Sequence, residues 1–211
     1  MPDGLVERLR YVLRGISIAS EADRRIVIND FMLALVRNAD FLDKLRLSAE
    51  ITVEVYCDTR VGQKRKRQYL SGQVDYIIYH FRIGQPVDEV SVKEAQLVTV
   101  EAKHGWTDNA MRQCVAEAAA IHKARKDAGK KNCQVWGCLT NASHWRFIHI
   151  DGDGALFVSE HFTMALGASS ITEHEVTKIY QLLYHIVKCA YPASPTTTTS
   201  IASRRPSQSQ S

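Results

Sequence analysis

The residues best suited to chemistry are Asp75, in Gly72-Gln73-Val74-Asp75-Tyr76-Ile77-Ile78, and Glu101 with Lys103, in Val98-Thr99-Val100-Glu101-Ala102-Lys103. Glu101 and Lys103 stand two apart in an apolar, β-branched run. On a strand they share one face, while Val100 and Ala102 take the other. Asp75 interrupts a second apolar run, Val74 to Tyr79. If the two runs pair as neighbouring strands, a second carboxylate arrives beside Glu101. Two carboxylates, a backbone carbonyl and waters suit a hard, octahedral Mg²⁺, which gives up its hydration shell reluctantly. An ion held there and shared with a substrate phosphate polarises that phosphate and lowers the pKa of a bound water, and Mn²⁺ can substitute for it. Lys103 then orients the water or offsets charge on a pentavalent transition state. The chemistry these residues imply is phosphodiester hydrolysis; the plain alternative is that they are ordinary strand-end charges.

Val74-Asp75 with Glu101-Ala102-Lys103 resembles the active-site signature of the PD-(D/E)xK phosphodiesterase superfamily, over roughly the middle half of the chain. Val74 stands where the signature has its proline. The resemblance implies Asp75 and Glu101 as metal ligands and Lys103 as the catalytic lysine. Many members carry a supporting glutamine on the helix after the lysine strand. Here that residue is Gln113, in a helix-forming run that follows the cap cluster Thr107-Asp108-Asn109, with Glu117 on the same face.

Two further acids are candidates for the site. Glu21, near the start of a long predicted helix, is either an additional acidic site residue or a first-turn acid favoured by the helix dipole. Glu54 lies on the polar face of its strand, where a solvated side chain is the simpler reading. The run Lys64-Arg65-Lys66-Arg67 precedes Asp75 by eight to eleven residues and suits contact with a nucleic-acid backbone near the metal; it also reads as a nuclear import signal or a solvated loop. A second basic cluster, Lys123, Arg125, Lys126, Lys130 and Lys131, ends the Gln113 helix, where cations also stabilise the helix terminus. The net charge of +4 is modest, so nucleic-acid binding has to come from such local patches.

The elements that position these residues follow from periodicity. Helical spacing covers 5–14 and 20–46, with Ser20 and Asp23 as a capping pair. Clean alternation over 51–57 marks a half-buried strand, followed by strands near 68–81 and 96–104. A helix over 107–127, strands at 133–140 and 145–150 around an Asn141-Ala142-Ser143 turn, and a helix over 172–190 complete the pattern. The pattern gives an α/β fold, and the superfamily resemblance implies a restriction-endonuclease-like core of order αβββαβ, its mixed central sheet flanked by helices. With 211 residues, 45% of them hydrophobic and 24% charged, the chain can bury one sizeable core. The expected organisation is one domain over 1–192 and a disordered Ser/Thr-rich tail over 193–211. No apolar stretch approaches the roughly 18 residues of a membrane span, and none reads as a secretory signal. The five cysteines form an odd set without a C-x-x-C pair, which points to reduced thiols and an intracellular compartment.

Gln-Val-Asp-Tyr, Val-Glu-Ala-Lys-His and Gln-Cys-Val-Ala-Glu together look similar to the C-terminal domains of crinkler-type effectors of filamentous microbes. That resemblance implies an effector or toxin acting on DNA in a nucleus. The expected partner is nucleic acid, DNA rather than RNA, with no membrane; a double-strand cutter would need two sites or two subunits, so a dimer is one open alternative and the sequence identifies no symmetric interface. The competing expectation is a catalytically silent nuclease-fold module that binds nucleic acid or a protein through its basic run.

Overall fold

The structure, a computed structural model, describes residues 2, 4–42, 44–61, 64–80, 98–102 and 106–190, with backbone alone for 53, 55, 57–61, 64–68, 70, 80 and 98–102. Lys103 and the expected tail over 193–211 lie outside the described residues. In chain order the helices are α1 (Leu5–Gly15), α2 (Glu21–Val36), α3 (Asp108–Asp127) and α4 (Glu173–Ala190). The strands are β1 (Leu45–Val61), β2 (Lys64–His80), β3 (Val98–Ala102), β4 (Val135–Thr140), β5 (His144–Ile150), β6 (Leu156–Val158) and β7 (Phe162–Thr163).

The fold is mixed α/β. One sheet runs in the order β1-β2-β3-β4-β5-β6, with β7 also on β5. Its described pairings are antiparallel except β3 with β4, which are parallel and joined by α3 as a crossover. Helices cover both faces. Leu5, Leu9, Val27, Phe31, Tyr76, Ile78, Trp145, Ile179 and Leu183 fill one apolar layer with α1, α2 and α4. Val74, Ile77, Tyr79, Cys114, Ala118, Ile121, Leu139 and Ile148 fill the other, beneath α3.

Three helix starts are fixed by side-chain caps. Ser20 Oγ accepts from Asp23 N at 3.2 Å while Asp23 Oδ2 accepts from Ser20 N at 2.7 Å. Thr107 Oγ1 accepts from Ala110 N at 3.1 Å, and Thr172 Oγ1 from Glu175 N at 3.2 Å.

The helix expected over 20–46 is too long: α2 ends at Val36. Asn38 stops it, because its side-chain oxygen accepts from Asp40 N at 3.0 Å and so offers the backbone a turn in place of the helical ladder. Its amide donates to the Tyr180 hydroxyl at 3.0 Å, tying that turn to α4. The chain then enters β1 at Leu45 rather than at residue 51, and β2 begins at Lys64 rather than near 68. The Lys64–Arg67 run therefore forms the start of a strand. β6 and β7 are additional to the expected elements.

Trp145 anchors the layer beneath α2. It is fully buried, packs edge-on to Phe31 with ring centroids 5.2 Å apart, and donates its indole N–H to Ala142 O at 2.8 Å. Trp145→Ala is expected to lower the unfolding free energy by about 3–5 kcal/mol in urea titrations; a loss below about 1 kcal/mol would contradict this packing.

Candidate active site

Among the expected site residues with described side chains, Asp75 is the most constrained. It is 7% exposed, in the middle of β2, and its Oδ1 receives Nη2 of Arg25 from α2. The same Nη2 donates to Glu21 Oε1 at 3.1 Å, and Nη1 donates to Glu50 Oε1 on β1 at 3.3 Å. Carboxylates from α2, β1 and β2 thus converge on one guanidinium. Exposure is graded across the cluster: the side chains of Asp75, Glu21 and Glu50 are 9%, 38% and 63% exposed. Burial by itself lowers the pKa of Arg25, but the three acids outweigh it and the net direction is upward, so the guanidinium stays charged.

Backbone geometry explains the meeting. The β1–β2 register pairs Ala49 with Tyr76 and Ile51 with Val74, which sets Glu50 across from Asp75. Both strands change phase at this point. Leu45, Leu47, Tyr76 and Ile78 pack with α1, α2 and α4, whereas Ile51 and Val74 pack beneath α3. Glu50 takes a left-handed backbone, φ 56°, a conformation that costs a non-glycine residue about 1–2 kcal/mol. Such strain is tolerated where the surroundings over-determine it, and here the ladder pairs Ala49–Tyr76 and Ile51–Val74 hold the backbone on either side.

The β2–β3 register pairs Tyr76 with Val100, and one residue further along it sets Glu101 across from Asp75. β3 also runs beside β4, with Glu101 opposite Leu139 and Ala102 opposite Thr140. α2 packs over β3 and is held on both flanks by consecutive arginines. Arg24 donates to Asn141 O, just beyond β4, at 2.8 Å, and Arg25 reaches Asp75 on β2.

Gln113 occupies a neighbouring position on the other layer. It is exposed on α3 and donates to Glu117 Oε1 at 2.9 Å. Glu117 is buried, 3.9 Å from where a Cβ on Gly72 would lie, three residues before Asp75 on β2 and so about 10 Å along the strand. Glu54 is exposed and accepts the Tyr69 hydroxyl, four residues beyond Glu50 and so about 13 Å further along β1. Of the two additional acids expected, Glu21 joins the Asp75 cluster and Glu54 does not. Arg25 and Glu50 were not expected there. The one signal in the sequence was the Glu21–Arg25 spacing of a helical ion pair.

No known protein family and no characterised protein matches the chain. In kind, the site's donors fit a hard divalent ion, since all are carboxylate oxygens. Among the described residues no three acid, imidazole or thiol groups stand in metal-binding geometry, and the guanidinium of Arg25 occupies the centre of the acids.

Tyr76 reports on this environment. Burial, opposed by Arg25 and assisted by Asp75, Glu50 and Glu21, pushes its phenol up to about 12 from an ordinary value of 10.0. A raised phenol pKa stabilises the fold below about pH 10 and loses that contribution as pH rises through about 12, a change of about 2–3 kcal/mol. Over this window the wild type is expected to lose that much more stability than Tyr76→Phe in urea titrations; parallel pH profiles would contradict the assignment.

Proposed function

We propose that this chain is a Mg²⁺-dependent nuclease that hydrolyses phosphodiester bonds, with DNA the favoured substrate. The observation that carries the reading is the buried Asp75 carboxylate, held beneath α2 on a strand whose register sets Glu101 opposite on the next one. Support comes from the succession α2-β1-β2-β3-α3-β4, the αβββαβ order of a restriction-endonuclease-like core, with Lys103 one residue past the end of β3.

When bound, Mg²⁺ supplies Lewis-acid polarisation of the scissile phosphate and a water of lowered pKa. Asp75 and Glu101 would hold it. Lys103 orients the attacking water or carries charge that offsets the transition state, and Gln113 steadies the buried Glu117 beside Gly72. Glu21 supplies further negative charge at the same cluster.

Substrate grip follows from the β1–β2 hairpin. β2 pairs with β3 only over Tyr76–Ile78, so among the described residues the segments 51–61 and 64–74 pair with each other alone, as a two-stranded ribbon about 35 Å long. Lys64, Arg65, Lys66 and Arg67 lie toward its tip, where Arg65 pairs with Arg60. Tyr56 and Tyr69 pair across the ribbon with ring centroids 5.2 Å apart, both about half exposed. A two-stranded ribbon with cations at its tip suits the major groove of a duplex. The crinkler likeness extends the proposal to an effector acting in a nucleus.

A second reading has one observation in its favour: Arg25 already neutralises Asp75, as it would in a silent nucleic-acid-binding module. The two readings part on metal and on Lys103. Cleavage of supercoiled plasmid is expected with Mg²⁺ or Mn²⁺, absent with chelator, and lost by at least about 10²-fold in Lys103→Ala; equal traces for wild type and variant on DNA and RNA would remove the catalytic claim. Replacing Lys64, Arg65, Lys66 and Arg67 with Gln in the Lys103→Ala background is expected to weaken duplex binding in chelator and flatten the log–log salt slope by up to about 4. An unchanged slope would remove the ribbon from the interface.

A further inference from the structure

We infer that Arg25 is a built-in counter-ion that competes with a divalent cation for Asp75, so that ion uptake requires the guanidinium to leave that carboxylate. The inference rests on the metal-dependent reading above and adds the residue that governs ion entry. One positive charge faces three carboxylates, contributed by α2, β1 and β2. The β1–β2 register brings Glu50 and Asp75 to facing positions, and the Arg25 guanidinium bridges the two acids, so its departure from Asp75 leaves like charges opposed unless another cation replaces it. The surplus of negative charge attracts a second cation, and a dication a few ångströms from a guanidinium repels it strongly in a half-buried site.

Arg25 has somewhere to go. Its side chain is 29% exposed, and Glu21 and Glu50 are the two more exposed acids of the cluster. Withdrawal from Asp75 can therefore keep an ion pair on the outer side while the inner carboxylate exchanges one cation for another. Glu21 is one helical turn from Arg25, the spacing at which such a pair holds on the helix itself. The cluster then has two states. In one, Arg25 screens Asp75 and the fold needs no metal; in the other, the ion occupies Asp75 and Arg25 rests on Glu21 and Glu50.

The test is Mg²⁺ binding by calorimetry, with melting curves in Mg²⁺ and in chelator, for the wild type, Arg25→Met, Arg25→Lys and Asp75→Asn. Arg25→Met is expected to bind Mg²⁺ about tenfold more tightly than the wild type, since no internal cation has to be displaced. It is also expected to melt lower in chelator and to gain more from Mg²⁺, because Asp75 is then left buried without its counter-ion. Arg25→Lys should behave as the wild type, and Asp75→Asn should lose binding. Arg25→Gln, a shorter side chain that keeps an amide donor without the charge, gives the same comparison if Arg25→Met does not fold. Asp75-dependent Mg²⁺ binding that is unchanged or weaker in both neutral variants overturns the competition and leaves the metal site standing. Absence of Asp75-dependent binding in every protein overturns both.

Discussion

A carboxylate withdrawn from water in the middle of a sheet has to meet a cation, and Asp75 sets this requirement for the whole site. Taking an acid out of solvent costs several kcal/mol unless charge and hydrogen bonds replace its hydration. Arg25 supplies that charge from α2, which fixes how the helix lies over the sheet. Its neighbour Arg24 reaches Asn141 on the far side of β3. The capping box at Ser20 sets where α2 begins and so where both arginines fall. Geometry at Asp75 is thus tied to local signals some 50 residues earlier in the chain.

The same requirement accounts for the irregular backbone. β1 sends Leu45 and Leu47 to the layer of α1, α2 and α4 but Ile51 to the layer beneath α3, and β2 sends Tyr76 and Ile78 to the first and Val74, Ile77 and Tyr79 to the second, so a single hairpin serves two apolar layers. Glu50 absorbs the change of phase in a left-handed conformation. Inward of that point the hairpin belongs to the core; outward β1 and β2 pair with each other alone among the described residues, and Tyr56 and Tyr69 are about half exposed. One distortion separates the part of the hairpin that carries the Asp75 ion-pair cluster from the two-stranded ribbon beyond it.

Much of the framework is legible in the sequence because it is written in local patterns. Alternation and capping locate α2, β2, β3, α3 and β4, and those elements carry Asp75, Glu101 and Gln113. Where local patterns conflict, the reading fails. Apolar residues at Phe41, Leu42, Leu45 and Leu47 continue a helical spacing beyond Val36, and only the Asn38 turn, anchored on α4, shows why the helix stops. β6 is exposed at all three positions and so has no burial pattern to detect. Arg25 and Glu50 could not be assigned to the site because their meeting with Asp75 depends on strand register and helix placement, which are set by long-range packing; the Glu21–Arg25 spacing marks a helical ion pair but not its partners on the sheet.

A crystal structure grown in Mn²⁺, with the ion located by its anomalous signal, examines the central claim most directly. The account expects a Mn²⁺ ligated by Asp75 and Glu101, with the Arg25 guanidinium drawn back toward Glu21 and Glu50. A clear map at millimolar Mn²⁺ with no anomalous peak at Asp75, and Arg25 still seated on its carboxylate, would contradict it.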